Sequence, residues 1–328
     1  MARRPSFEQQ LAAVRAGTLE AVRAGLASTN GLVIEAAAKR VEDECSASGA
    51  RSSPAWESGW IERVDLVPEL VEAFARIPDK ERDPGCRGKL AVARALHALD
   101  RWDDRVFVTG LSISQLEGAQ PADDTAAALR GICGLAHAHF ARPDALDVLA
   151  ALLADPRVPA RIGAAQGLGD CGKLGAASLL RYKLLADGDD REDPDVTAAC
   201  VEALLATGRE ACTDFLLALL GTHGQRAEIV ALAIGGARLA GALVPLIAWC
   251  DAARPSQRQR VAYLALALLR DDAATAHLLD AIRARSKHDA LAAAKALATF
   301  PDDRLAARIR EAAAGHDAAT QRELGALL

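Results

Sequence analysis

Two stretches of this sequence gather side chains that bind anions. Arg87, Lys89, Arg94 and His97 fall in the first, and Arg130 and His137 in the second. Arg87 and Arg94 are seven residues apart, as are Arg130 and His137, so on helices each pair shares a face. Guanidinium forks suit carboxylates and phosphates. If two such helices lie side by side near Trp102, they form a basic patch. Arg87, Lys89, Arg94, Arg130 and His137 are therefore the expected partner-binding residues, for an acidic peptide or another anion. The same residues also fit a second reading, hydrogen bonding between helices together with solvated charge.

Catalytic patterns are absent. There is no phosphate-binding GxxxxGK[ST], no nucleophile elbow GxSxG and no zinc-binding HExxH. Gly163, Gly167 and Gly169 echo a dinucleotide loop, but they follow a helical pattern and no strand precedes them. None of the seven histidines is followed by Glu, which sets aside a di-iron centre built on His-Glu dipeptides. His137 and His139 are two apart and point in different directions on a helix. The seven cysteines form no CxxC and sit in apolar helical patterns, as reduced core thiols do. Cys86 stands beside Arg87 at an expected helix start, where dipole and cation lower a thiol's pKa. The same position is apolar in the repeat pattern, which makes Cys86 a packed thiol. No catalytic residue, cofactor or metal ligand is assigned. The acidic run over 187–195 lacks the fixed Gly and terminal Glu of a calcium loop and reads as a solvated turn.

The elements that must position these residues are helical. Among 328 residues there are 74 alanines and only 4% aromatics. Alanine has the highest helix propensity and lets helices approach closely, whereas a β-sandwich or barrel needs β-branched and aromatic residues. A hydrophobic share of 51% beside 25% charge excludes a wholly disordered chain. The clearest unit is 143–172. Leu146, Leu149, Leu152 and Leu153 mark a first helix, which Asp155-Pro156 ends, and a second helix runs from Val158 to glycines at 169 and 172. The pattern recurs. Second helices are expected to begin near Leu32, Pro84, Asp124, Val158, Pro194, Gln225, Ser256, Lys287 and Asp317. A spacing that tightens to about 30 residues marks an α-solenoid, in which stacked hairpins bury the stripe that one pair alone leaves open.

The run Asp155-Pro156-Arg157-Val158-Pro159-Ala160-Arg161, followed by Gly163-Ala164-Ala165-Gln166-Gly167-Leu168-Gly169, resembles the HEAT repeat. It is most similar to the short HEAT-like form named for phycobilisome lyases. Asp155 and Arg161 match that form's Asp and Arg. Arg87 matches the Arg with Glu81 at the Asp position, and Thr197 replaces the Arg in the repeat at Pro194. The resemblance covers roughly 57–328, and the whole chain also resembles bacterial HEAT-repeat proteins. It implies an all-α fold, an α-solenoid of eight to nine HEAT-like hairpins, with Asp155 and Arg161 as a structural ladder between repeats. Residues 1–48 are expected to be N-terminal helices forming a degenerate first repeat or cap, 49–58 a linker, and 59–328 the solenoid.

The expected function is a non-enzymatic protein-binding scaffold that uses the concave face, with another protein or peptide as partner. The resemblance implies two alternatives, a bilin-lyase-like accessory that attaches a chromophore and a HEAT-like nucleic-acid-binding protein. The net charge of −5 argues against nucleic acid. No apolar run of 18 residues spans a membrane, and the start lacks a signal peptide's apolar stretch, so the expected location is the cytoplasm.

Overall fold

The computed structural model describes residues 6–49, 65–186, 191–222, 224–239, 241–252, 256–284, 286–300 and 302–328. Most of the linker expected over 49–58 and residues 187–190 of the acidic run lie outside the described residues. The fold is all-α, with 74% of residues in helices and 1% in strands. It divides into two compact units, 1–176 and 177–328.

The first unit holds α1 (Phe7–Arg15), α2 (Leu19–Leu26), α3 (Gly31–Gly49), α4 (Val67–Arg76), α5 (Arg87–Ala98), α6 (Asp104–Leu111), α7 (Ala127–His139), α8 (Ala145–Leu153) and α9 (Val158–Asp170). Between α6 and α7, β1 (Leu116–Glu117) pairs antiparallel with β2 (Asp123–Asp124), Leu116 opposite Asp124. Local chemistry sets the ends. Ser6 and Gln9 form a reciprocal capping box on α1, Thr18 caps α2 and Asp103 caps α6. Consecutive helices pack in pairs, α2 with α3, α4 with α5, α6 with α7 and α8 with α9. The second members α3, α5, α7 and α9 pack side by side, while α1 lies against α3. The apolar faces meet in one core that includes Leu26, Ile34, Leu70, Phe74, Leu96, Phe107 and Leu129. Each such side chain, fully enclosed, contributes about 1.5–3 kcal/mol. Helices α7 and α9 approach closely. A Cβ added to Gly163 would sit 2.4 Å from Gly131 Cα and 2.6 Å from its carbonyl oxygen.

The second unit runs from α10 (Ala176–Ala186) through α11 (Pro194–Thr207), α12 (Arg209–Leu220), α13 (Gln225–Gly236), α14 (Leu243–Ala252), α15 (Ser256–Leu269), α16 (Asp272–Ala284), α17 (Lys287–Leu297), α18 (Asp303–Ala313) and α19 (Ala318–Gly325). Here α11, α13, α15, α17 and α19 form one row, and α12, α14, α16 and α18 another. Asp193, Ser286, Asp302 and Asp317 cap α11, α17, α18 and α19. Leu204, Leu216, Ile234, Leu246, Tyr263, Leu278 and Leu297 fill the space between the rows.

Second helices begin within about three residues of the positions read from sequence. Two features were not anticipated. Helix α3 runs through Gly49, the residue at which the linker was expected to begin. Helix α6 and the β1–β2 hairpin fill 104–124, where the sequence shows only a long gap between repeats.

Candidate functional site

The charged groups of the first unit converge on the starts of its second helices. Asp83 is fully buried; its Oδ1 accepts the Gly88 N–H at 2.7 Å and its Oδ2 the Lys89 N–H at 3.1 Å. The Lys89 ammonium, itself 3% exposed, lies 3.7 Å from Asp83 Oδ2. Burial pushes Asp83 above the ordinary carboxylate range, although the two amides and Lys89 pull it down. Gln115 Nε2 donates to the Asp83 carbonyl at 2.8 Å and to Glu117 Oε1 at 2.6 Å. That oxygen also accepts the Gly85 N–H at 2.8 Å and the Thr125 hydroxyl at 3.0 Å. Burial would raise Glu117, but these donors outweigh it and hold the carboxyl below its usual value.

A second knot follows. Arg130, 6% exposed, donates from Nε and Nη2 to the two oxygens of Asp155, at 2.8 and 3.1 Å. Its Nη1 donates to Asp124 Oδ2 and to the Ile113 carbonyl, both at 2.8 Å. Desolvation would lower this guanidinium, yet the two carboxylates raise it further. Asp124 is likewise held below its usual value, burial being outweighed by the Gln115 and Ala126 amides and by Arg130. Arg161 Nη1 donates to the Asp155 carbonyl at 2.7 Å. Arg157 straps the hairpin by reaching Asp123 Oδ1 at 3.0 Å and the Ala122 carbonyl at 3.1 Å.

One spacing underlies all three joints. An acid ahead of the second helix precedes by six residues a base in that helix's first turns, as Asp83–Lys89, Asp124–Arg130 and Asp155–Arg161. Asp155 faces Arg130 of the preceding hairpin, and Arg161 closes its own turn. The alignment read from sequence, Glu81 with Arg87, is two residues early. Gly85 (φ 72°) and Cys86 (φ 54°) are both left-handed, in a short 3-10 turn over Pro84–Cys86 that delays α5 to Arg87.

The expected basic patch does not assemble as a surface. Lys89, Arg130 and His137 are enclosed. Arg130 and His137 do share a face of α7, but that face points inward. His137 Nδ1 donates to the Cys133 carbonyl at 2.7 Å, and its ring meets Trp102 edge-on at 4.8 Å. Arg87 and Arg94 are exposed on α5. Arg87 is engaged by Glu35 through Nε at 2.8 Å and Nη2 at 3.1 Å, and Lys39 Nζ holds the same carboxylate at 2.6 Å. Cys86 is no activated nucleophile. Burial, with Asp83 adding and Lys89 opposing, pushes its thiol up to about 12, so it is neutral at pH 7. In the acidic run, Glu192 pairs with Lys183 at 2.6 Å and Asp193 caps α11.

Two open clefts lie on the second helices. In the second unit, a groove of about 490 Å³ between α11 and α13 is lined by Ala198, Ala233, Gly236 and Ala237. Leu205, Ile229 and Leu232 also line it, and Glu202 is its one charged lining residue. In the first unit, a cleft of about 460 Å³ lies between α1 and α3, with Arg87 at its edge. Among the described residues, no group of three or more His, Cys, Asp or Glu is arranged to hold a metal ion, and no helix is long and apolar enough to cross a membrane. No family model matches the chain, and no curated protein matches it.

Proposed function

We propose that this chain is a protein-binding scaffold of HEAT-like hairpins, and that the α11–α13 groove seats the apolar face of a partner helix. The observation that carries this reading is the groove itself. Three alanines and Gly236 line it with little side-chain bulk, so a partner backbone can come close, while Ile229 and Leu232 stay half-exposed beside them. Half-exposed Val261, Leu264 and Leu268 give the neighbouring α15 an apolar stripe at the same helical spacing. An amphipathic helix laid into such a groove buries aliphatic anchors at i, i+3, i+4 and i+7. The enclosure of Lys89, Arg130 and His137 shifts the expected contact from basic groups to aliphatic ones.

The test is comparative capture. Wild type and Leu232→Glu are used as bait after circular dichroism shows equal helix content. A protein held by wild type and lost from the variant supports the groove. The same set of proteins on both baits removes it.

A further inference from the structure

We infer that the cleft between α1 and α3 is a second docking site, selective for an amphipathic helix with acidic flanks. Its floor is aliphatic. Leu11 and Val14 come from α1, and Leu32 and Ala36 from α3, with Phe7 exposed at the mouth. Its rim is cationic. Arg15, Lys39, Arg40 and Arg87 line it against two acids, Glu35 and Asp43. Glu35 offers a partner little repulsion, because Lys39 and Arg87 already hold its carboxylate. Arg40 is anchored by Glu44, which leaves its Nε enclosed without a hydrogen-bond acceptor among the described residues. Lys39 and Arg15 stay exposed. An aliphatic trough between cationic edges complements a helix whose Leu stripe is bordered by Glu or Asp. The stripe supplies burial, and the borders supply steering and orientation. A basic helix meets a rim on which four cations outnumber Glu35 and Asp43.

This inference does not rest on the α11–α13 groove, and the two fail separately. The test uses full-length protein and three fluorescein-labelled synthetic helical peptides. One has a Leu stripe bordered by Glu, one the same stripe bordered by Lys, and one is a scramble of the Glu/Leu composition. Fluorescence anisotropy is read at low and high salt. The Glu-bordered helix is expected to bind at least about tenfold more tightly than the other two, and more weakly as salt rises. Leu11→Asp and the double variant Arg15→Glu/Lys39→Glu each weaken it about tenfold or more, while Leu232→Glu leaves it unchanged. These positions are exposed or half-exposed, and circular dichroism checks that each variant is folded. Equal binding of the Lys-bordered or scrambled peptide overturns the proposal. So does unaltered binding by the cleft variants, or weakened binding by Leu232→Glu, which would place the peptide in the other groove.

Discussion

The contact between Gly131 and Gly163 fixes how closely α7 and α9 approach, and Gly163→Ala probes it. The added methyl carbon would lie 2.4 Å from Gly131 Cα and 2.6 Å from both its carbonyl carbon and its oxygen. Carbon atoms rest about 3.5–4.0 Å apart, so the helices must part by roughly 1 Å. No rotamer change relieves this clash, because the obstructing atoms are backbone. Parting the helices also strains the Arg130–Asp155 pair, which joins the same two hairpins at 2.8 and 3.1 Å. Overpacking costs about 1–3 kcal/mol or more, and the rigid backbone places this case at the upper end. The helix propensity gained by replacing glycine offsets about 1 kcal/mol. The net loss is about 2 kcal/mol, or roughly 4–8 °C in melting temperature for a unit of this size. Gly236→Ala is the control. Nothing lies within 4 Å of its would-be Cβ, so propensity acts alone and the variant melts at or slightly above wild type. Thermal melts followed by circular dichroism measure both. A Gly163→Ala protein as stable as wild type would refute the close-packing argument.

Other outcomes follow from the seam and from the histidine cluster. Asp155→Ala leaves enclosed Arg130 with one carboxylate and costs about 3–5 kcal/mol, whereas Arg161→Ala loses a bond to a carbonyl and costs about 1–2; urea unfolding giving the reverse order would remove Asp155 as the central joint. His97 contacts the His139 ring at 4.7 Å, and burial, then His139, lower its pKa from 6.5 despite Asp100 and Asp170. The folded state thus resists protonating His97, so its contribution is present above about pH 6.5 and is lost as pH falls through the lower folded value. Wild type should therefore lose more melting temperature between pH 7.5 and 5 than His97→Phe does; equal losses would contradict this. The Cys86 thiol, 1% exposed and pushed up to about 12, should resist a thiol-reactive dye at pH 8 in native protein and react in urea, as peptide mapping would show.

The helical layout was legible because its punctuation is local. Pro194, Asp302 and Asp317 sit where helices start, and the Leu spacing of 146–153 marks an enclosed face. The stretch 104–124 was not legible. Helix α6 has eight residues and each strand two, too short to show a period. The register of the first joint was missed because two consecutive left-handed residues, one of them not glycine, delay α5. A seven-residue spacing correctly placed Arg130 and His137 on one face, yet such spacing does not say whether that face meets water or protein. One signal could have said so. An acid stands six residues before a base in three successive helix pairs, at 83, 124 and 155, and a partner at constant offset marks those bases as internal joints.

That distinction decides where recognition can occur. A guanidinium has five N–H donors, and Arg130 makes four hydrogen bonds within its own fold. Presenting it to a partner would strand Asp124 and Asp155 in a dry joint, which costs more than an exposed ion pair returns. The enclosed charges are therefore bound to the register of the hairpins. Recognition is proposed instead for side chains nearer the surface, the cationic rim over α1 and α3 and the aliphatic walls over α11 and α13. These two surfaces differ in charge and in apolar share, so the partner faces proposed for them differ. On the two proposals made above, the first surface would take an acid-bordered helix and the second an apolar one.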